Sequence, residues 1–516
     1  MKRSVRRAGR LTLPALLFLA SVVTACGGGG AGGDGGGIAP VASLLQPFAS
    51  PGSGETFGEP EARHLLRRVA FAAPQAEVER CVRDGLARTV DRLLDAPLDT
   101  VAEAEADALV EDPLHPRFED LERAWLSLMV RTQAPAREKM ALFWHQRLAV
   151  SGRMLDGGSL RWMQEYRDLL RREGLGNYRT MLKDLTRNGA MLVWLTGLPS
   201  SKAHPNENYA REFWELFTLG VDVAYTQPDI QEAARAFTGW DARWDEATEL
   251  YELWFDPEAH DEGTKTILGE VGNFGEDDVV DITLRRREAA EYLAKRLLEG
   301  LCYRDPEAEL VAEVADAAVA GDWELKPLVR LVARSRAFFS PRARRTQVAD
   351  PTLQMVGLAR AAGVPFEGWE LLWNADAMGH VPLDPPSVKG WPQGLGWAGE
   401  QPLLDRCVMV DEVASKDHVH DAEGNDVAPV TLTHLLPPAD GAGKITGAAT
   451  VDAVARVLDV TLSPAERQVL VDYMDHLDDG GTLVAAPFDG HDLDAVEVKL
   501  RGLLSILAQH PDAMKH

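Results

Sequence analysis

A chain of 516 residues, 45% hydrophobic and 26% charged, holds enough apolar material for a large core and is not a disordered polymer. Its formal net charge of −26 argues against nucleic acid as a partner; the acidity suits solubility outside a cell without identifying a substrate. Four cysteines with no CxxC, CxxCH or zinc-like spacing exclude a disulfide framework, although Cys81, Cys302 and Cys407 permit one bridge.

In chain order, residues 1–25 read as a signal peptide: Lys2, Arg3, Arg6, Arg7 and Arg10 precede an apolar stretch from Leu11 to Val23 that is too short and one-sided for a spanning helix. It ends in Val23-Thr24-Ala25-Cys26, which resembles a bacterial lipobox with Cys26 as the lipidated first residue of the mature chain, and Gly27 after it implies outer-membrane sorting. Residues 26–57 are glycine-rich and read as a flexible tether. The expected body then runs over 58–400, with 401–516 as a C-terminal helical part of the same domain and a polar insertion near 415–445. Its first helix is Glu61 to Phe71, whose Leu65, Leu66, Val69 and Ala70 share a stripe. "REKMALFWHQRLAVS", Arg137 to Ser151, is apolar in almost every direction and predicts an enclosed helix, with the His145 ring between the small residues Ala141 and Ala149. "GLGNYRTMLKDLTRNGAMLVWLTG" predicts two short helices punctuated by Gly176, Gly189 and Gly197.

"PNENYAREFWELFTLG" predicts a helix from about Glu207 to Leu219, capped by Asn206 and closed by Gly220, followed by a second helix that opens on a Thr226/Asp229 capping box. Tyr209, Phe213, Leu216 and Phe217 form one face, whereas Glu207, Arg211 and Glu215 form an ion-pair ladder opposite. Glu212 lies at the edge of the apolar face and needs a partner: either a structural hydrogen bond or a polar pocket. "LYELWFDPEAHDEGTKTILG" predicts a β-hairpin at about 250–269. Within it His260 and Asp261 offer a nitrogen and an oxygen to a divalent metal, or Asp261 simply closes a turn with Lys265 solvated. Trp391 and Trp397 in "KGWPQGLGW" either stack on a sugar or anchor an irregular loop. In the C-terminal part "DHVHDAEGNDVAP", with His418, His420, Asp421 and Asp426, reads as the polar insertion. Further on Ser463, Pro464 and Glu466 open a helix whose acidic end, Asp475 to Asp479, reads as solvated. The fold expected is mainly α, a large multi-helix globular body carrying one small hairpin.

Seven ordered blocks, "HLLRRVAFAA", "REKMALFWHQRLAVS", "LGNYRTML", "PNENYAREFWELFTLGV", "AARAFTGW", "HDEGTKTILGEVGNFGEDDVVD" and "PPSVKGWPQGLGW", are similar to the bacterial domain-of-unknown-function 1800 family, from about Phe57 to the C-terminal "KLRGLLSILAQHPDAM". Ala72, Phe213 and Trp214 depart from its pattern and look like packing changes. The resemblance implies an exported, mainly helical protein and a partner from the domain-of-unknown-function 1501 family, which resembles phosphatases and sulfatases. His145, Asn206, Glu207, Asn208, Arg211, Glu212, His260, Asp261 and Lys265 match the family blocks and are the site candidates. Two functions follow as expectations. One is a lipid-anchored envelope scaffold or accessory protein. The other is an envelope hydrolase, metal-assisted or not, with His145 or His260 as base or ligand and Glu212 or Glu207 as carboxylate partner.

Overall fold

The computed structural model describes residues 44–366, 368–420, 426–479 and 482–516. The expected leader 1–25, Cys26, most of the expected tether and Asp421 lie outside them. The described residues contain twenty-one α-helices and four separate two-stranded antiparallel sheets. They fall into two compact units, 44–409 with His516, and 410–515.

The larger unit begins with chain that is already held down, where the sequence reads as the end of a tether. Phe48 stacks on Phe339 at 4.5 Å, its N–H donates to Arg334 O (2.8 Å), and Ala337 N–H donates to Leu44 O (2.8 Å). Two aromatic residues and a β-bridge outweigh the glycines here. The helices that follow are α1 (Glu59–Val69), α2 (Gln75–Asp84), α3 (Leu86–Leu94), α4 (Thr100–Asp107), α5 (Phe118–Arg131), α6 (Pro135–His145), α7 (Arg161–Glu173), α8 (Tyr178–Thr186) and α9 (Gly189–Trp194). Two of them start on an asparagine acceptor: Asn177 and Asn188 cap α8 and α9 through the N–H groups of Thr180 and Met191. Helix α6 ends at His145, earlier than its apolar run predicts. Beyond it Leu148 N–H still bonds Trp144 O (2.7 Å).

Next come α10 (Glu207–Glu212), which passes directly into a π-helical turn over Phe213–Thr218, and α11 (Gln227–Ala236) behind its Thr226/Asp229 capping box. The one continuous α-helix expected here is thus two geometries in series. The hairpin expected around 250–269 is two hairpins. Leu250–Phe255 pairs back with Trp240–Asp245, and Lys265–Ile267 pairs forward with Glu270–Gly272. Trp240, Ala242 and Trp244 face Phe255, Leu253 and Tyr251 across the first pair, which gives it an apolar side that the 265–267 segment lacks. The unit continues with α12 (Glu276–Leu284), α13 (Arg287–Leu301), α14 (Ala308–Ala320), α15 (Leu325–Ala333), α16 (Pro351–Ala362) and α17 (Trp369–Ala377). Its core is continuous from Leu65 on α1 through Trp125, Leu142, Tyr166 and Trp214 to Phe338.

Helix α18 (Glu400–Ser415) contains the division at 409/410. The smaller unit holds α19 (Gly447–Val457), α20 (Pro464–Asp475) and α21 (Leu493–Ala508), with hairpins 418–420/426–429 and 476–479/482–485. The polar insertion therefore includes a short hairpin. The acidic end of α20 is not merely solvated, because the Asp475 carboxylate accepts Phe488 N–H (3.0 Å) and Lys499 Nζ closes the helix on Tyr473 O and His476 O (2.6 Å each). Cys81, Cys302 and Cys407 are not joined to one another.

Candidate functional site

The α10 block places its polar residues on architecture. Asn206 caps α10 through Asn208 N–H (2.8 Å) and also bonds Thr196 O, while the Asn208 amide donates to Leu195 O (2.9 Å). Together they tie α10 to the residues just after α9. Arg211 donates to Gln227 Oε1 (2.9 Å), stands 3.5 Å from Glu207 and 3.9 Å from Glu215, and the Gln227 amide returns to Glu207 at 2.6 Å. This is the solvated ladder read from the spacing, extended by one glutamine from α11. Glu212 is half-buried, and burial with the nearby Glu215 charge raises its pKa, opposed by Lys389 and Arg211.

The π turn is stabilised by partners from distant helices. Thr218 Oγ1 donates to Phe213 O (2.7 Å), Tyr178 Oη to Phe217 O (2.5 Å), and Tyr292 Oη to Leu216 O. Backbone carbonyls that a widened turn frees thus find hydroxyl donors, as buried acceptors must. Trp214 adds an indole bond to Thr283 Oγ1 (2.9 Å).

His145 is sealed. Its ring has no exposed surface; Nε2 accepts Leu383 N–H at 2.7 Å, Nδ1 lies 2.9 Å from Tyr166 Oη, and Tyr166 Oη donates to Leu148 O at 2.5 Å. The room left by Ala141 and Ala149 is taken by the 383–391 loop: Trp391 packs against His145 at 5.0 Å and against His380 at 4.7 Å. Burial, with the neighbouring His380, holds His145 down to about 3. Trp391 and Trp397 are each 5% exposed, so they anchor this loop and present no stacking platform. No hydrogen bond or ion pair joins His145 to Glu207, Arg211 or Glu212.

The His260–Lys265 turn is equally committed. His260 Nδ1 donates to Thr238 O (2.7 Å). Asp261 takes a fork from Arg235, Nε to Oδ2 at 2.7 Å and Nη2 to Oδ1 at 3.0 Å, and also accepts Gly263 N–H (2.8 Å). The Arg235 hydrogen bond holds Asp261 at about 2 against partial burial. Lys265, expected to be solvated, is fully buried, with its ammonium donating to Asp261 O, Gly263 O and Asn273 Oδ1. Turn carbonyls replace its hydration. Among the described residues no group of three or more His, Cys, Asp or Glu side chains stands where it could hold a metal ion.

A cavity of about 90 Å³ lies elsewhere in the larger unit, lined by Arg68 from α1, Lys139 from α6, Gln146 and Arg147 just beyond it, Asp350 at the head of α16, and Trp397. Of these only Trp397 figures among the residues picked from sequence. The pattern that carries the others is the four-residue recurrence of Lys139, Phe143 and Arg147 on one side of the His145 segment. In a helix that is apolar all round, that recurrence reads as incidental. Desolvation pulls Lys139 down to about 7, Arg147 to about 9 and Arg68 to about 10.

Comparison with known proteins adds one match. A family model described as a protein of unknown function, DUF1800, matches residues 64–514. No curated protein and no solved structure matches the chain.

Proposed function

The chain belongs to the DUF1800 family, and from that premise we propose that it is an exported, lipid-anchored scaffold or accessory protein of the bacterial cell envelope. The observation that carries this reading is the sealing of His145. A general base needs a ring nitrogen within reach of a substrate proton, and Leu383 and Tyr166 occupy both. Asn206, Asn208, Glu207, Arg211 and Asp261 of the family blocks are likewise spent on a cap, a helix tie, a surface ladder and a turn, which is what a helical body built to present a surface requires. Export and anchoring are supported by the basic leader, its apolar run and Cys26. The partner in this proposal is a phosphatase- or sulfatase-like envelope protein.

Two measurements test it in the native bacterium. Membrane fractionation with labelled fatty acid should find the wild-type chain lipidated and sedimenting with membranes, and a Cys26→Ser variant unlabelled and released. Cross-linking of the anchored protein, followed by affinity recovery, should return a phosphatase- or sulfatase-like chain. Retention of label by Cys26→Ser, or recovery of the wild type alone with and without lipid, counts against the proposal.

A further inference from the structure

We propose that Lys139 is a nucleophilic amine that forms an imine with a small aldehyde or ketone admitted to the cavity between α1, α6 and the 392–397 loop. The inference starts from how little holds its side-chain nitrogen. Lys139 lines the cavity, and its Nζ donates to Arg67 O (2.6 Å) with no second hydrogen bond and no ion pair among the described residues. The Phe71 ring lies 5.5 Å away. An ammonium has three N–H groups and is strongly hydrated, so one carbonyl and one aromatic ring replace only part of the water it gives up. Lys265 is the contrast within this chain, since its buried ammonium has three oxygen acceptors.

The surrounding charges set which form of the amine the cavity holds. Arg68, Arg147, Asp350, Glu299 and His516 line the same space, and Arg67 supplies the carbonyl. Burial, opposed by Asp350 and assisted by Arg68 and Arg67, holds Lys139 down to about 7, so about half of it is free amine at neutral pH. Desolvation beside other cations is how a lysine becomes a nucleophile. Asp350 supplies the second group that imine formation needs. One of its oxygens caps α16 through Leu353 N–H (2.8 Å) and the other accepts the Gln146 amide (2.7 Å), which fixes the carboxylate in the cavity wall. The Lys139 lone pair adds to the carbonyl carbon, a C–N bond forms, and the π electrons move to oxygen, to which Asp350 carries one amine proton. The C–O bond then breaks and the oxygen leaves as water with both amine protons, so that amine and carbonyl compound balance imine and water. At about 90 Å³ the space is far smaller than the roughly 300 Å³ and upward of a drug-sized ligand site, so the carbonyl compound is short-chained. This proposal is independent of the envelope role.

The test uses the full wild-type chain, incubated with propanal or, as the ketone arm, hydroxyacetone. Timed quenches with sodium borohydride supply the hydride that turns an imine into a stable secondary amine, and peptide mapping by mass spectrometry locates the label. At pH 7 Lys139 should be labelled about tenfold or more faster than the exposed Lys202 by at least one of the two probes, and its rate should saturate with probe concentration, as a cavity site does. Asp350→Asn keeps a side chain able to cap α16. Because Asp350 favours the charged amine, electrostatics alone would make this variant react faster at pH 7, whereas loss of the proton carrier slows it several-fold. Labelling of Lys139 no faster than that of Lys202 with both probes, or a rate that climbs without saturating, would overturn the proposal. An Asp350→Asn variant that reacts as fast as the wild type or faster would remove Asp350 from the step.

Discussion

At the scale of single residues, His145 is fixed by the direction of one hydrogen bond. Leu383 N–H can only donate, so Nε2 is the acceptor and Nδ1 carries the proton toward Tyr166, whose own proton goes to Leu148 O. A neutral imidazole in this tautomer links the end of α6 to the 383 loop through three groups, none of which reaches water. Replacing it with leucine keeps most of the volume but strands a buried N–H and loosens a buried hydroxyl, each worth roughly 1–3 kcal/mol. His145→Leu should therefore lose about 2–4 kcal/mol in urea unfolding. Glu207→Ala, in the solvated ladder, should stay within about 0.5 kcal/mol of wild type. Similar small losses in both would show that the His145 network is not structural.

Among the elements, the π turn shows how far sequence reasoning reaches. Both ends of the α10 segment are legible, because Asn206 and Gly220 are local signals with local chemistry, and Gly220 does take φ = 100°. The change from α to π spacing at Phe213 is not, since a 100° wheel assigns the same apolar face to either. The Leu219 N–H bond to Trp214 O (2.8 Å) depends on tyrosines at 178 and 292 that the sequence places far away. Strand pairing fails for the same reason: Leu250–Phe255 is recognisable as a strand, but its partner is chosen by a face of Trp240, Ala242 and Trp244 that only pairing reveals. The polar candidates were likewise visible, whereas the cavity was not, because Arg68, Lys139 and Arg147 converge only in three dimensions. If the tyrosine hydroxyl sustains the wide turn, Tyr178→Phe should cost roughly 1–3 kcal/mol by leaving Phe217 O unpaired. The loss should appear as faster amide exchange at Leu219 and Gly220; unchanged exchange there would remove the tyrosine from the account.

The molecule as a whole should respond to pH through a carboxyl group whose burial outweighs the one nearby cation, Arg153, that favours its charged form. Glu122 on α5 is 3% exposed, one of its oxygens has no partner, and burial, with the Asp384 charge adding to it, raises its pKa from 4.5 to about 8. A raised carboxyl pKa means that the folded chain holds a proton that the unfolded chain has already released. The penalty is therefore absent below pH 4.5, grows by about 1.4 kcal/mol per pH unit above it, and levels off beyond about 8. His64 and His145 act on the other side: each is held down to about 3 from 6.5, chiefly by burial, so each destabilises the fold progressively as pH falls below 6.5. Lys139, lowered to about 7, recovers stability as pH rises above that value and partly masks Glu122 in the wild type. The difference between wild type and Glu122→Gln isolates the carboxyl, because glutamine resembles its protonated form and the histidines and Lys139 are common to both. Melting temperatures of the two chains should coincide near pH 4.5 and separate steadily above it, with the variant the more stable by on the order of 4 kcal/mol at pH 8. A constant offset across that range would instead place the effect in packing and leave Glu122 ionised at neutral pH.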